Sequence, residues 1–181
     1  QPDQTSSRRV RIEQADVHCE VFGLGDRTGI DIPSERRGLW PSRPWKKDAK
    51  GLPWFPGDSL NVGLGQGFVL TTPLQLANMM AILARRGEQI SPKLVHSVSD
   101  VLLPTAHDKI ANNPSKANWD YVFSAMENVV HGLRGTAQGI RRGIKYRMGG
   151  KTGTAQVVGI PQGEEYDSES LLERQRDHAL F

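Results

Sequence analysis

The sequence predicts an α+β fold, and three features predict it. The stretch from Thr72 to Gly87 carries the marks of an amphipathic helix. A second helical spacing runs from about Asn118 to His131. From Ile144 to Met148 apolar and cationic residues alternate before a glycine-rich segment, as in a half-buried strand. The 19 glycines, the 11 prolines, a hydrophobic content of 37% and a mean hydropathy of -0.48 add much loop around these elements.

A chain of 181 residues can bury one real core. Its formal charge of +3 is too small to argue by itself for a nucleic-acid partner. The one cysteine, Cys19, excludes an internal disulfide and says little about redox compartment. His18 beside Cys19 suggests a metal only if further ligands follow at ligand spacing; none does, so the pair reads as incidental and no metal or cofactor is expected. There is no apolar run of about 18 residues, and Gln1 to Arg11 is polar without a signal-peptide core. Any anchor or export segment of a parent protein is therefore expected outside this chain.

Taken in order, residues 1–21 are polar and cationic and read as a poorly ordered segment, with structure expected at most around Val17 to Val21. From Phe22 to Pro33 three glycines mark turns, and Ile30 and Ile32 mark a brief extended piece. Residues 34–57 contain Pro41, Pro44, Pro53 and Pro56 and read as loop. Trp40, Trp45 and Trp54 stand there among Arg36, Arg37, Arg43, Lys46, Lys47 and Lys50. Such a set can stack on and grip a polyanion. A fixed loop pinned by tryptophans, with its cations in water, fits the prolines better. Gly63, Gly65 and Gly67 alternate, but Phe68 stands where a dinucleotide fingerprint needs glycine, so close backbone packing is expected instead.

The helix that follows has Thr72 as cap, Pro73 at its first position and Gln75 to complete a capping box. Leu76, Met80 and Leu83 fall on one face, and Gly87 stops the helix. A short strand is expected around Leu94 to Val98, loop over 103–117, and a second helix with Val122, Met126, Val129 and Leu133 at helical spacing. His96, His107 and His131 have no partner pattern. Gly135-Thr136-Ala137 reads as a turn, Gln162 to Ser170 as an acidic loop, Leu171 to Arg176 as a short helix, and Asp177 to Phe181 as the entry to a strand.

The segment the rest is organised around is Gly149-Gly150-Lys151-Thr152-Gly153-Thr154-Ala155-Gln156. Glycines admit a close neighbour, Lys151 offers a compact ammonium, and Thr152 and Thr154 sit two apart. A cation and two hydroxyls on a strand edge suit a carboxylate with an adjacent peptide carbonyl. The phosphate-cradling loop that also ends Gly-Lys-Thr needs glycine at position 145, where Lys145 stands. Lys-Thr-Gly as used by penicillin-binding proteins and β-lactamases fits without that defect.

The ordered set of motifs resembles class B penicillin-binding proteins, most of all those of the penicillin-binding protein 2 type that serve rod-shape elongation. It runs from the Phe22–Pro33 stretch through Trp45-Lys46, Gly63-Leu64-Gly65-Gln66-Gly67, Thr72-Pro73-Leu74-Gln75-Leu76-Ala77, Gly135-Thr136-Ala137 and Gly150–Gln156 to Arg176-Asp177-His178-Ala179. The resemblance implies a transpeptidase domain over 22–181, with an antiparallel sheet flanked by helices. It implies D,D-transpeptidation of peptidoglycan stem peptides, inhibition by β-lactams, and elongation-complex partners. It places the parent in the inner membrane with this domain in the periplasm. Lys151 would act catalytically, orienting the nucleophile, and Lys151, Thr152, Gly153 and Thr154 would hold the substrate carboxylate. The Thr154 N–H would serve an oxyanion hole. Strict alternation would put Lys151 on the face opposite the threonines, so convergence would need strand twist.

The departures are as informative. No serine here is followed by lysine three positions later, so the family's Ser-x-x-Lys nucleophile is absent from this sequence. Ser59-Leu60-Asn61 spells the second family motif but falls in the later glycine-rich segment and reads as coincidence. The expected entity is a partial transpeptidase domain, inactive alone, with an exposed strand between Ile144 and Val158. The competing reading is a non-catalytic module that binds carboxylates or a polyanion.

Overall fold

The computed structural model describes residues 19, 21–104, 107–110, 112–159 and 166–181. The rest of the leading segment, residues 105, 106 and 111 of the expected loop, and residues 160–165, with the start of the acidic stretch, lie outside them. Among the described residues the architecture is α+β: helices α1 (Arg43–Lys50), α2 (Pro56–Gly63), α3 (Pro73–Ala84) and α4 (Lys116–His131), with three two-stranded antiparallel sheets. Strand β1 (Glu88–Ile90) pairs with β4 (His107–Lys109), β2 (Ser97–Val98) with β3 (Val101–Leu102), and β5 (Gly153–Ala155) with β6 (His178–Leu180). The chain divides into two compact units, Gln1–Asn113 and Pro114–Phe181.

In the first unit, α3 begins as its sequence predicts. The Thr72 hydroxyl accepts from the Gln75 N–H at 3.2 Å, and Gln75 Oε1 accepts from the Thr72 N–H at 2.8 Å. The buried face differs from the expected one. Gln75 is fully buried and Ile82 is 2% exposed, whereas Met80 is 38% exposed. Gln75 and Ile82 are seven apart, two helical turns, so the packed line lies beside the Leu76–Met80–Leu83 stripe. A polar residue occupies the core because both ends of its amide are used: Nε2 donates to the Asp26 carbonyl while Oε1 closes the capping box.

That amide also explains Gly38. A Cβ there would stand 2.6 Å from Gln75 Oε1 and would overlap the Leu70 carbonyl oxygen. The bare backbone lets Leu39 and Leu70 exchange N–H···O bonds of 2.7 and 2.9 Å. The Phe22–Pro33 stretch is held by two carboxylates. Asp31 accepts from the N–H groups of Leu94 and Val95 at 2.6 and 2.9 Å, and Glu35 accepts from the Thr28 N–H, the Thr28 hydroxyl and the Gly29 N–H.

The proline-rich stretch is helical where loop was expected. Ser42 caps α1 by accepting from the Trp45 N–H, and Pro44 lies in its first turn; Pro56 opens α2, where Asp58 accepts from the Phe55 N–H at 2.7 Å. Prolines in a first turn cost no hydrogen bond, because those N–H groups have no helical acceptor. Nor are all the cations in water. Lys46 is 3% exposed, pairs with Asp58 at 2.5 Å, and lies 4.4 Å from the centre of the Phe55 ring. Ser59 accepts from the Trp54 indole N–H at 2.9 Å, a packing role within α2.

In the second unit, α4 starts two residues earlier than expected, capped by Ser115. Its buried line is Trp119 and Val130, with Phe123 stacked on Trp119, whereas Leu133 is 91% exposed beyond the helix end. The expected strand over Ile144 to Met148 is absent. The Met148 N–H donates to His131 Nε2 at 3.2 Å and Arg147 pairs with Glu127, so the segment spends its polar groups on α4 instead of a strand partner. Strand β4 falls within the expected loop, and a 3₁₀ turn covers Glu173–Gln175 of the expected short helix. The strand entry expected at Asp177 is present as β6. No helix among the described residues is long and apolar enough to cross a membrane.

Replacing Gln75 by Ala orphans the Asp26 carbonyl and the Thr72 N–H. A loss of about 1–3 kcal/mol is expected in urea unfolding of the chain. Acid should act through the three anchoring carboxylates. The N–H groups of Leu94 and Val95 hold Asp31 below its ordinary value. Partial desolvation pushes Glu35 and Asp58 up, but donation from Thr28 and Gly29 in one case, and from Lys46 and Phe55 in the other, leaves both lowered. Carboxyls lowered in the folded state stabilise above their unfolded pKa values of about 4. The contribution is lost as pH falls through the folded values. Unfolding curves from pH 6 to 2 should show stability flat at first and declining below about pH 4, with a shallower decline in Asp31→Asn.

Candidate carboxylate-binding site

Lys151 lies at the start of an exposed edge built on α4. Three contacts hold it there. The Gly150 N–H donates to the Met126 carbonyl at 3.2 Å. A Cβ on Gly150 would overlap the Phe181 ring, whose Cε2 would stand 2.8 Å away, so a side chain there displaces that ring. Beyond the turn, β5 pairs with β6 in the register Gly153 to Leu180, Thr154 to Ala179 and Ala155 to His178. The exit of β5 is fastened by the Val157 N–H donating to Asp177 Oδ1, and the Asp177 N–H donates to the Tyr166 hydroxyl at 2.9 Å.

The four predicted site residues are consecutive, and Lys151, Gly153 and Thr154 are exposed while Thr152 is half-buried. Lys151 and Thr152 precede β5, so strand alternation does not govern them. Lys151 Nζ folds back to donate to the Thr152 carbonyl at 2.6 Å and lies 3.5 Å from Thr152 Oγ1. The cation and the first hydroxyl therefore share one side without the strand twist that alternation would require.

The sequence reading did not place Thr136 in the site. Its hydroxyl is 3.1 Å from that of Thr152. Gly135 makes this possible: a Cβ there would overlap the Val129 carbonyl oxygen, and the Ala137 N–H donates to that same carbonyl at 3.0 Å. The turn after α4 is thereby pressed against the helix end, with Thr136 facing the Lys151 segment. The signal was legible in Gly135-Thr136-Ala137, but pairing with a residue 16 positions on was not. Lys151, Thr152 and Thr136 thus form a row of one ammonium and two hydroxyls at the head of an exposed strand. Such a row can donate to both oxygens of a carboxylate while β5 offers backbone groups to a peptide.

A profile of the penicillin binding protein transpeptidase domain matches residues 4–173. The chain belongs to that family. Peptidoglycan D,D-transpeptidase MrdA of Acinetobacter baumannii is 38% identical over 179 residues, covering 97% of this chain and 26% of the relative. The Escherichia coli K12 protein of the same name is 34% identical over 164 residues, 88% of this chain and 26% of the relative. Among solved structures, penicillin-binding protein 2 of Pseudomonas aeruginosa in complex with WCK 5153 superposes with a TM-score of 0.76 at 38% identity, covering 82% of this chain and 34% of that one. Penicillin-binding protein 2 of Helicobacter pylori, in a complex with MreC, gives 0.76 at 29% identity, covering 94% of this chain and 29% of that one. The chain spans about a quarter of the length of the curated relatives it matches. The fold is accordingly that of part of a transpeptidase domain.

In this chain, Gly150→Ala should push Phe181 off its seat and loosen the β5–β6 pair. Hydrogen exchange at 153–155 and 178–180 is expected to rise by at least about tenfold, equivalent to roughly 1.4 kcal/mol of local protection. Unchanged exchange would show that the Phe181 contact does not hold the strand.

Proposed function

We propose that this chain supplies the carboxylate-recognition strand of a peptidoglycan D,D-transpeptidase of the penicillin-binding protein 2 type. The observation that carries the reading is the hydroxyl pair Thr136–Thr152 at 3.1 Å beside the Lys151 ammonium, at the head of a strand with exposed backbone. In this reading Lys151, Thr152 and Thr154 hold the terminal carboxylate of a stem peptide or the carboxylate of a β-lactam. Gly153 keeps the strand open to the ligand, and the Thr154 N–H faces the carbonyl under attack. Lys151 also orients the nucleophile, a serine that would act as in Ser-x-x-Lys. Because no such pair is in this sequence, the chain by itself carries out no acyl transfer.

The cellular reading follows the relatives. The Helicobacter pylori relative is in a complex with MreC, and a further relative, 32% identical, belongs to a peptidoglycan synthase complex of polymerisation and cross-linking. By analogy, a parent protein containing this domain works in cell-wall elongation with membrane-anchored partners, anchored in the inner membrane with the domain in the periplasm. A polyanion site in the tryptophan-rich stretch is less well supported, because the Lys46 ammonium is buried against Asp58.

The test is covalent labelling. A fluorescent penicillin should leave no adduct on this chain, whereas a longer protein that contains both the domain and a Ser-x-x-Lys serine should label. In that longer protein Lys151→Ala and Thr154→Ala, in the present numbering, should slow acylation by about 10- to 1000-fold, since each removes a charge-assisted or hydroxyl contact that aligns the carboxylate. A penicilloyl mass on any serine of the chain, or unchanged acylation in both variants, would sink the assignment.

A further inference from the structure

The first unit holds a cavity of about 600 Å³ that the carboxylate site does not use, lined in part by Leu24, Asp26, Arg37, Leu39, Trp40 and Trp45. Sites for small organic ligands occupy roughly 300–1,000 Å³. Backbone contacts fix the lining. Gly25, at φ +88°, lies against Trp40: a Cβ there would stand 2.8 Å from the Trp40 Cβ. Leu39, on one side of Trp40, exchanges N–H···O bonds with Leu70, and Pro41, on the other, is fully buried. Trp45 is held by the Ser42 cap of α1 and packs on Phe68 with ring centres 5.3 Å apart. Both indoles are half-buried. Arg37 and Asp26 pair at 3.3 Å with side chains 66% and 73% exposed, and the Arg27 N–H donates to the same Asp26 oxygen at 2.9 Å.

We propose that this cavity binds a pyranose unit of an uncharged glycan, an inference that does not rest on the carboxylate reading. A sugar ring has an apolar C–H face and a rim of adjacent hydroxyls that both donate and accept. The indoles and leucines offer apolar surface to the face. Asp26 accepts and Arg37 donates, so the pair supplies both kinds of partner to neighbouring hydroxyls. An exposed ion pair holds its groups only weakly, so they turn to a ligand at small cost. Other ligand classes fit this lining less well. An anion gains Arg37 but meets Asp26, and a cation gains Asp26 and the indoles but meets Arg37. A purely apolar ligand desolvates the pair without replacing its hydrogen bonds. A proline-rich peptide uses the indoles, but its prolines offer carbonyls and no N–H, which leaves Asp26 without a donor.

The test is a titration of this chain with chitotetraose and with cellotetraose, an acetylated and an unacetylated glycan. It is followed by NMR at the indole N–H resonances of the 4 tryptophans. One or both sugars should shift the Trp40 and Trp45 signals and leave that of Trp119 unmoved, with a Kd of about 1 mM. The tighter of the two identifies the glycan type. Arg37→Ala and Asp26→Asn should each weaken binding about 3- to 10-fold. Because the pair is exposed, both variants should keep the thermal unfolding midpoint within roughly 2 °C. Trp45→Ala should abolish binding; should it also unfold the chain, the two exposed variants still decide. No shift with either sugar at about 20 mM, a shift spread equally over all the tryptophans, or an affinity unchanged in both Arg37→Ala and Asp26→Asn overturns the proposal. So does saturable binding of octaproline or inorganic phosphate at the Trp40 and Trp45 signals while both sugars fail.

Discussion

The missing side chain of Gly150 is the constraint on which the Lys151 segment depends. Backbone there lies between α4 and the Phe181 ring, close enough that its N–H reaches the Met126 carbonyl. Any side chain there would displace the ring. The contact sets where Lys151 emerges, and the β5–β6 ladder begins two residues later. Phe181 is itself 51% exposed, so the restraint comes from close approach more than from burial. A site built this way is positioned by packing on a helix, which is stiffer than support from loops.

The first unit solves a different problem with the same economy. It holds long glycine-rich and proline-rich stretches that have little apolar surface to bury. Side-chain hydrogen bonds to distant backbone and one buried ion pair supplement that small core. Gln75 joins the α3 cap to Asp26, Glu35 gathers Thr28 and Gly29, Asp31 seizes the Leu94 and Val95 amides, and Lys46 ties α1 to α2 through Asp58. The buried members, Gln75 and Lys46, fix a unique arrangement when every partner is present and are costly when one is lost. Stability in this unit therefore depends on pairs of residues far apart in sequence.

Electrostatics separates the two ends of α4. Lys116 and Asp120 form an exposed pair at its start, a local i, i+4 contact of small effect. Past its end the chain has only cations until residue 159. A uniform sign on a solvent-exposed loop costs little in stability at physiological salt but sets the sign of what approaches. Lys151 lies at the far end of that field, which is consistent with a ligand that is an anion.

By itself the sequence determined the features that are local. The α3 cap follows from Thr72, Pro73 and Gln75, because a capping box needs only residues three apart. The Lys151–Thr154 segment and the late strand at Asp177 were legible for the same reason, and the ordered motifs identified the family. What the tertiary structure decided was where side chains with two options went. Prolines 44 and 56 open helices where the sequence suggested loop, since a first turn tolerates them and Ser42 and Asp58 satisfy the neighbouring amides. The alternation over Ile144 to Met148 promised a strand, but His131 and Glu127 took its polar groups. Thr136 joined the site only because Gly135 can press against the Val129 carbonyl. Each of these outcomes depends on a tertiary contact outside the local period, or on a first-turn exemption that composition hides.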